Sequence, residues 1–273
     1  MTASTQQKNA ALQGIAILVT RAVHQADSLV EAIRERGGKA ILFPTIEIVP
    51  PDSWQECDRA IASLYMYDGL VFTSANAVSY FFNRMDELGQ GIASLSSKQV
   101  LAVGEKTKGI IEGRGTKVSL VPDKFSSTEL SQLLSTEDLQ GKSFLFLQGN
   151  LSKEFLPEQL KKLGAAVDAI QFYQTRQPRK ENVEQIRNIL GSGGVDVLTF
   201  TSPSTFENFV HLLSSDFVKE LQQRTKTAVI GPTTANAVRE LGFRVDIEPE
   251  TSTIEELLDA VGNYFAEKSK VLS

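Results

Sequence analysis

The sequence predicts an α/β protein with parallel sheets, built as two similar halves. Short β-branched runs alternate with amphipathic stretches along the chain, which is the pattern of parallel strands connected by helices. The segment LVFTSAN at residues 70–76 recurs in similar form at residues 198–204, as LTFTSPS. At 273 residues the chain exceeds the size at which one hydrophobic core usually keeps growing, so two domains are expected.

The first half alternates five predicted strands with helices. Strands are predicted where short apolar runs are bounded by turn residues, and helices where apolar residues recur with a helical period. The helix at 26–38 ends in a glycine pair suited to a left-handed cap. The predicted strands are 14–20, 39–43, 69–72, 99–103 and 117–121, and the predicted helices are 26–38, about 54–65, one from about 75, 104–113 and 126–134.

The same order begins again at residue 143. Each predicted strand of the second half is again followed by a turn and an amphipathic stretch. The predicted strands are 143–148, 165–173, 195–200, 227–231 and 243–247, and the predicted helices are 152–164, 203–213, 232–242 and 252–261.

A nearly constant offset relates the two halves. Matching residues lie 127 or 128 positions apart: Gly37 and Gly164 (164 − 37 = 127), Gly104 and Gly231 (231 − 104 = 127), Thr107 and Thr234 (234 − 107 = 127), and Phe72 and Phe200 (200 − 72 = 128). One shared offset favours an internal two-fold repeat over two α/β domains that merely look alike. The repeat is far longer than the roughly 20–50 residues of a solenoid unit, so a duplicated domain is predicted.

Composition restricts the classes of partner. The net charge of −5 disfavours a broad nucleic-acid surface, and no apolar run is long enough to span a bilayer. The single cysteine, Cys57, cannot form an internal disulfide, which fits a reducing cytoplasm. We therefore expect a cytoplasmic protein with neither a nucleic-acid nor a membrane partner.

Hydroxyl residues follow four of the predicted strands, where helices begin. The segments 72–76 (FTSAN), 103–107 (VGEKT), 200–204 (FTSPS) and 230–234 (IGPTT) each place a hydroxyl at such a point. Ligands of parallel sheets bind at the carboxyl ends of strands, and helix N-termini favour anionic groups. For any one of these hydroxyl residues taken alone, a helix cap is a simpler explanation than a ligand site. Four at equivalent points favour a cleft that holds an anionic ligand.

Familiar catalytic motifs are missing from the sequence. The two histidines have no metal-ligand spacing to cysteine or acidic residues. GKS at 141–143 precedes a strand, and Thr136 stands where a P-loop requires glycine. GSGGVD at 191–196 lacks the third glycine of a dinucleotide fingerprint. Hydrolase and dehydrogenase functions are therefore disfavoured.

The two halves differ at positions that could carry chemistry. Arg21 ends the first strand, whereas the equivalent residue is Gln148; Tyr173 ends a later strand, whereas its equivalent is Ile46. A tyrosine here can serve packing as readily as chemistry. In a cleft without histidine, its phenol is the best available proton donor.

Seven segments carry a common pattern: 17–21 (ILVTR), 69–78 (GLVFTSANAV), 100–107 (VLAVGEKT), 147–164, 172–175 (FYQT), 200–204 and 228–238 (AVIGPTTANAV). Together they resemble the uroporphyrinogen-III synthase family over roughly residues 15–265. The resemblance implies two flavodoxin-like domains joined by a two-stranded linker, with the substrate in the cleft between them. Domain 1 would combine 14–45 with 176–267, domain 2 would span 50–170, and the linkers would lie at about 44–50 and 171–177.

The resemblance also implies a reaction. The family's substrate is hydroxymethylbilane, a linear tetrapyrrole with eight carboxylates. Water leaves from ring A, the substituted α-carbon of ring D attacks the resulting cation, and the spiro intermediate recloses with ring D inverted to give uroporphyrinogen III. No metal or organic cofactor is expected. A monomer is expected, with transient handover of substrate from the preceding enzyme.

The family's residue roles carry over to matching positions. Tyr173 would be the catalytic residue, assisting departure of the hydroxyl, and Arg21 would add charge. Gln148, Gly149 and Asn150 stand where many bacterial members carry Arg-Gly, and Lys153 is a candidate substitute. The groups expected to hold carboxylates are Ser74, Ala75, Asn76, Thr107, Ser202, Ser204, Thr233 and Thr234.

Two other functions remain compatible with the residues alone. A two-domain binding or regulatory protein could close on an anionic small molecule without chemistry. A nucleotide-sugar transferase would need a nucleotide site, and none is found in the sequence. Loss of turnover beyond loss of affinity in Tyr173→Phe would favour the enzyme over the binding protein.

Overall fold

The structure is a computed structural model that describes residues 11–123 and 126–271. Within these ranges the chain forms two compact units. Unit 1 combines the described residues up to Glu47 with those from Arg176 onward, and unit 2 is Ile48–Thr175. Each unit contains its own sheet.

The described ranges contain short strands connected mainly by helices. The strands are β1 (Ala16–Val19), β2 (Lys39–Leu42), β3 (Glu47–Val49), β4 (Gly69–Phe72), β5 (Gln99–Ala102), β6 (Ser143–Gly149), β7 (Ala166–Arg176), β8 (Val197–Phe200) and β9 (Lys226–Val229). The helices are α1 (Val23–Glu35), α2 (Gln55–Ala62), α3 (Ala75–Glu87), α4 (Glu105–Gly113), α5 (Ser127–Leu134), α6 (Phe155–Lys162), α7 (Lys180–Gly191), α8 (Pro203–Leu213), α9 (Ser215–Leu221), α10 (Pro232–Glu240) and α11 (Ile254–Val271).

Unit 1 is organised around a four-stranded parallel sheet in the order β2-β1-β8-β9. Alternate residues of β1 enter different apolar clusters: Leu18 belongs to one, and Ile17 and Val19 belong to another. Successive strand side chains point to opposite faces, so these clusters lie on the two faces of the sheet. Burial on both faces explains why the strands read as continuous apolar runs.

Unit 2 has a five-stranded sheet in the order β3-β7-β6-β4-β5. The pairs of β4 with β5 and β6, and of β6 with β7, are parallel. Phe72 packs edge-on against Phe81 of α3, with ring centroids 5.5 Å apart, in one of the unit's apolar clusters. Phe144 and Phe146 of β6 belong to the other cluster. This sheet is therefore also covered on both faces.

A β-bulge interrupts the pairing of β6 with β7. Gln148 pairs with Gln171, but Gly149 pairs with Tyr173, so Phe172 is the extra residue. In a regular strand Phe172 and Tyr173 would point to opposite faces. Here Phe172 is fully buried in the cluster that Tyr173 also contacts. The bulge thus changes the direction in which the strand presents its tyrosine.

The α/β class with parallel sheets is confirmed, but two predicted strands are wrong. Residues 117–121 and 243–247 each form only one isolated parallel bridge, through Leu120 and Ile247 respectively. In both places a side chain accepts a hydrogen bond from a strand N–H that would pair with backbone in a longer ladder. Ser119 Oγ accepts from the Val100 N–H, and the Asp246 carboxylate accepts from the Thr227 N–H. Such local acceptors compete with strand pairing.

Two helices, α7 and α9, fall outside the predicted set, and β3 lies within the segment predicted as a linker strand at about 44–50. β3 has three residues and lies at the edge of the unit 2 sheet. Over the part of the chain that the structure describes, every helix is too short or too polar to cross a bilayer.

Candidate active site

Tyr173 lies on β7 in unit 2, where it contacts the N-cap residue of α3 and an aromatic ring of the same helix. The Ser74 hydroxyl, just before α3, donates a hydrogen bond to the Tyr173 hydroxyl over 3.2 Å. The Tyr173 ring also stacks on Tyr80 of α3, with centroids 6.1 Å apart and ring planes 20° apart. Tyr173 and Ser74, two of the predicted site residues, are therefore brought together.

Ser74 is at the same time the N-cap of α3. Its backbone is extended, and its Oγ accepts a hydrogen bond from the Ala77 N–H over 3.1 Å. One oxygen thus satisfies a free donor of the helix and contacts the phenol. The capping interpretation of Ser74 is confirmed, whereas its place in a substrate site stays a prediction, with which the contact to Tyr173 agrees. The predicted residues Ala75 and Asn76 occupy the first two positions of α3.

Gly149 provides the space that the Tyr173 ring occupies. A Cβ added at Gly149 would lie 2.4 Å from the Tyr173 Cζ and 2.8 Å from its hydroxyl oxygen. These separations are far below ordinary van der Waals contact, so a side chain at 149 and the ring in its present place exclude each other.

Asn150 holds the end of β7 beyond the tyrosine. Its side-chain carbonyl accepts from the Thr175 N–H over 2.8 Å, and its side-chain amide donates to the Thr175 carbonyl over 3.1 Å. The turn that carries Asn150 is fixed in the same way, because the Gly149 N–H donates to Ser152 Oγ and the Ser152 N–H donates to the Gly149 carbonyl. A short turn after β6 therefore clamps the strand that bears Tyr173.

Tyr80 is itself anchored. Its hydroxyl donates to the Ile48 carbonyl over 3.2 Å, and burial raises the pKa of its phenol. The Trp54 ring packs against the Tyr80 ring with centroids 6.4 Å apart. The Arg84 guanidinium carbon lies 4.9 Å from the centroid of the Trp54 ring. The tyrosine stack thus continues into a series of packed aromatic and cationic side chains.

Thr107, the remaining predicted site residue of unit 2, lies in α4 and is only 6% exposed. Among the described residues, no hydrogen bond joins Thr107 to Tyr173 or Ser74. Gly104 precedes α4 and has no side chain with which to cap it. The first N–H groups of α4 are therefore the more accessible polar groups at this point.

In unit 1, Ser202 caps α8 through a reciprocal arrangement with Thr205. The Thr205 N–H donates to Ser202 Oγ, and the Ser202 N–H donates to Thr205 Oγ1, both over 3.3 Å. Pro203 occupies the first position of the helix and has no N–H. Ser204 is exposed, and its hydroxyl lies 3.1 Å from that of Ser202. Ser204 therefore offers the accessible donors at the start of α8.

Gly231 precedes α10 and is in close contact with Ser252. A Cβ added at Gly231 would lie 2.0 Å from Ser252 Oγ. Thr233 is exposed, whereas Thr234 is only 2% exposed. The start of α10 thus combines uncapped N–H groups with hydroxyls from two separate segments.

Arg21 follows β1 in unit 1 and is half-buried. Burial lowers the pKa of its guanidinium. In the described part of the chain it forms neither a hydrogen bond nor an ion pair. A partly desolvated cation without a partner is suited to an anionic ligand.

Sequence reasoning missed three residues that shape these surroundings: Gly149, Tyr80 and Ser252. Gly149 belongs to the segment that departs from the family pattern, and Tyr80 and Ser252 both belong to segments predicted as helices. Gly149 had one usable signal, because glycine at the end of a strand often marks close approach by another group.

The fold and the site together define an α/β protein whose candidate site residues lie near the carboxyl ends of parallel strands. The sequence model of the family described as "Uroporphyrinogen-III synthase HemD" matches residues 27–259. The chain belongs to the uroporphyrinogen-III synthase family.

Individual relatives agree with this family. A uroporphyrinogen-III synthase from Chlorobaculum parvum is 32% identical over 86% of this chain and 92% of its own length. One from Synechococcus elongatus is 30% identical over 93% and 96%. The crystal structure of a mutant uroporphyrinogen III synthase from Thermus thermophilus covers 93% of this chain and 100% of its own, with a TM-score of 0.64 at 20% identity. That likeness shows the shared fold.

Proposed function

We propose that this protein cyclises hydroxymethylbilane to uroporphyrinogen III, with loss of water and inversion of ring D, in tetrapyrrole biosynthesis. Family membership supports the reaction. The observation that carries the chemistry is the Tyr173 phenol, held by Ser74 at the start of α3. The protein would be a lyase that acts on a small molecule.

Tyr173 assists departure of the substrate hydroxyl. Ser74 donates to the phenol oxygen, which leaves the phenolic hydrogen for a second acceptor. That acceptor is the hydroxyl oxygen on the ring A methylene. The carbon–oxygen bond breaks, the oxygen leaves as water with the transferred proton, and the cation is attacked by the substituted α-carbon of ring D. Fragmentation of the spiro intermediate and reclosure at the unsubstituted α-carbon of ring D then invert that ring. The proton lost from this carbon on closure restores the Tyr173 phenol.

The substrate carboxylates bind at helix N-termini and at Arg21. The starts of α4 and α10 follow glycines, so their N–H groups have no side-chain cap, although Pro232 at the first position of α10 has no N–H. In α8, part of the donors is already satisfied through Ser202 and Thr205. Anion binding is therefore strongest where the cap is glycine. The carboxylate-binding set is Arg21, Ser74, Ala75, Asn76, Thr107, Ser202, Ser204, Thr233 and Thr234, with the buried Thr107 and Thr234 acting through their backbone N–H groups.

The chain arose by duplication of one flavodoxin-like domain. Strand orders support this: β2-β1-β8-β9 in unit 1 corresponds to β7-β6-β4-β5 in unit 2, and the isolated bridges at Ile247 and Leu120 continue both orders (247 − 120 = 127). The order 2-1-3-4-5 is that of flavodoxin-like sheets. The predicted domains, 14–45 with 176–267 and 50–170, and the two-stranded linker are part of this proposal.

Several partner and location predictions accompany the function. Hydroxymethylbilane is the expected substrate, with transient handover from the preceding enzyme. The protein is expected to act as a cytoplasmic monomer, without nucleic acid, membrane or cofactor.

The test is the isomer formed from freshly prepared hydroxymethylbilane, separated by chromatography after oxidation to porphyrin. Unaided closure gives the type I ring, so a dominant type III product is expected from the purified protein. Type I alone, at the uncatalysed rate, would contradict the proposal and favour a binding or regulatory role. Tyr173→Phe should lower kcat by about 10²-fold, the lower end of what a positioned proton donor contributes, with a smaller change in ligand affinity.

A further inference from the structure

We infer that the turn at the end of β6, residues 149–152, is the positioning element of Tyr173, with Gly149 and Asn150 as positioning residues. This inference rests on the proposed function, because it assigns these residues a part in the same reaction. Neither residue needs to touch the substrate. Each would act by fixing where the phenol lies.

Gly149 acts through the space beside the ring. The whole polar end of Tyr173 lies within 2.8 Å of the position that a Cβ at Gly149 would take. The opposing group is the far end of one side chain, so an alanine can be accommodated by displacing the ring while the strands remain paired. Such a displacement breaks the bond to Ser74 and the stacking on Tyr80. Gly149→Ala should therefore displace the Tyr173 ring while it lowers the free energy of unfolding only slightly.

Asn150 acts through the backbone of β7. Its two hydrogen bonds both go to Thr175, two residues beyond the tyrosine. The bulge at Phe172 interrupts the regular ladder immediately before Tyr173. The pairing of β6 with β7 resumes at Gly149 and Tyr173, and the two Asn150 bonds are the next contact that holds β7 beyond it. Loss of the Asn150 side chain should leave the segment from Phe172 onward less constrained.

The Ser74 bond alone does not fix the phenol. A hydroxyl-to-hydroxyl contact of 3.2 Å permits rotation about the Tyr173 side-chain bonds. Stacking on Tyr80 restricts the ring plane, and Gly149 allows that plane to lie against the strand end. A catalytic group must be held near its productive geometry, and misplacement by about 1 Å can cost about 10²-fold in rate.

The test compares Gly149→Ala and Asn150→Ala with two controls in unit 2. Gly109→Ala adds a Cβ inside α4, where nothing lies within 4 Å. Ser119→Ala removes another side-chain acceptor of a strand N–H, that of Val100. We expect Gly149→Ala to lower kcat by about 10²-fold and Asn150→Ala by about tenfold, with little change in KM, while both controls keep wild-type kcat.

A double-mutant cycle separates positioning from general damage. If Gly149 acts through Tyr173, the double variant Gly149→Ala/Tyr173→Phe should be as slow as Tyr173→Phe alone. Losses that multiply would overturn the inference, as would wild-type kcat in Gly149→Ala. A chemical-denaturation curve measured on each variant shows whether it is folded.

A second readout does not depend on activity. Protein labelled with 3-fluorotyrosine contains five tyrosines, and the fluorine resonance of Tyr173 is assigned by its loss in Tyr173→Phe. That resonance should shift in Gly149→Ala and broaden or shift in Asn150→Ala, and it should stay in place in the controls. An unmoved resonance in both variants would overturn the inference. A wild-type protein that yields only type I product would instead contradict the proposed function, and the resonance would still report on the ring.

Discussion

Ser74 Oγ lies 3.1 Å from the Ala77 nitrogen and 3.2 Å from the Tyr173 hydroxyl oxygen, so one side chain links the start of α3 to the phenol. The N-terminus of α3 carries a partial positive charge and unsatisfied N–H groups. The phenol therefore lies next to the part of the helix best suited to a carboxylate. A substrate that carries carboxylates around a reacting hydroxymethyl group could use both at once.

Ser74→Ala should affect both stability and turnover. It removes the N-cap of α3 and the hydrogen bond to Tyr173, so we expect a loss of about 1 kcal/mol in the free energy of unfolding, together with a lower kcat. Ser126→Ala is the matched control, because Ser126 caps α5 through the Glu129 N–H at the same 3.1 Å distance but is not bonded to Tyr173. Denaturant unfolding and isomer-resolved kinetics measure both effects. Equal kcat in the two variants would contradict a role for the Ser74–Tyr173 bond.

Arg21→Gln should raise KM more than it lowers kcat. The half-buried guanidinium would contribute charge to binding a carboxylate, and that charge contributes to binding before and after the reacting bond breaks. Increasing ionic strength should reduce the difference between wild type and variant, because salt screens the attraction. Arg34→Gln is the control, since Arg34 is exposed in the last turn of α1. The same KM in Arg21→Gln and Arg34→Gln would remove Arg21 from the binding set.

Gly231→Ala should destabilise unit 1, and a change at Ser252 should restore it. The added Cβ would lie 2.0 Å from Ser252 Oγ but 3.1 Å from Ser252 Cβ. Removing the hydroxyl in Gly231→Ala/Ser252→Ala therefore relieves the worst overlap. We expect the single variant to lose about 1–3 kcal/mol of unfolding free energy, as overpacked sites do, and the double variant to recover most of it. An unchanged loss in the double variant would place the clash elsewhere.

Asp58→Asn should reduce stability at neutral pH but not in acid. Arg84 donates two hydrogen bonds of 2.7 Å to the Asp58 carboxylate and holds its pKa below the usual value. A depressed folded-state pKa adds stability above the unfolded pKa of about 4, and that stability is lost as the pH falls through the folded value. Because the pair is partly exposed, we expect a difference of less than about 1 kcal/mol.

Unfolding curves of wild type and Asp58→Asn across the acid range would measure this difference. The exposed Asp27, changed to Asn, provides a control with the same loss of charge. A difference for Asp58→Asn that persists below the folded-state pKa would have to come from packing, since both side chains are then neutral.

The sequence predicted the parts of the site that depend on local patterns. Ser74 and Ser202 were expected at helix starts, and both cap helices, because a hydroxyl after an apolar strand is a local signal for a helix N-terminus. Strand alternation likewise predicted the α/β class, because parallel strands buried on both faces read as apolar runs.

The details that determine the phenol's position depend on contacts that are distant in sequence. Gly149 and Tyr173 meet only because β6 and β7 pair with a bulge at Phe172, and pairing register is not encoded by either strand alone. The same holds for Gly231 and Ser252, which are 21 residues apart (252 − 231) and belong to different segments. The two strands wrongly predicted at the sheet edges ended early because of single side-chain acceptors, which a hydrophobic pattern does not reveal.

The discontinuity of unit 1 affects the order in which the protein can fold during synthesis. β1 and β2 leave the ribosome first, but β1 pairs with β8, and Ile17 meets Val197 only after 180 more residues have been added (197 − 17). Unit 2 is continuous, so all its strands emerge before β8 does. Because domains generally fold as units and long-range pairing is slow, unit 2 can fold on the ribosome while the first two strands of unit 1 await their neighbours.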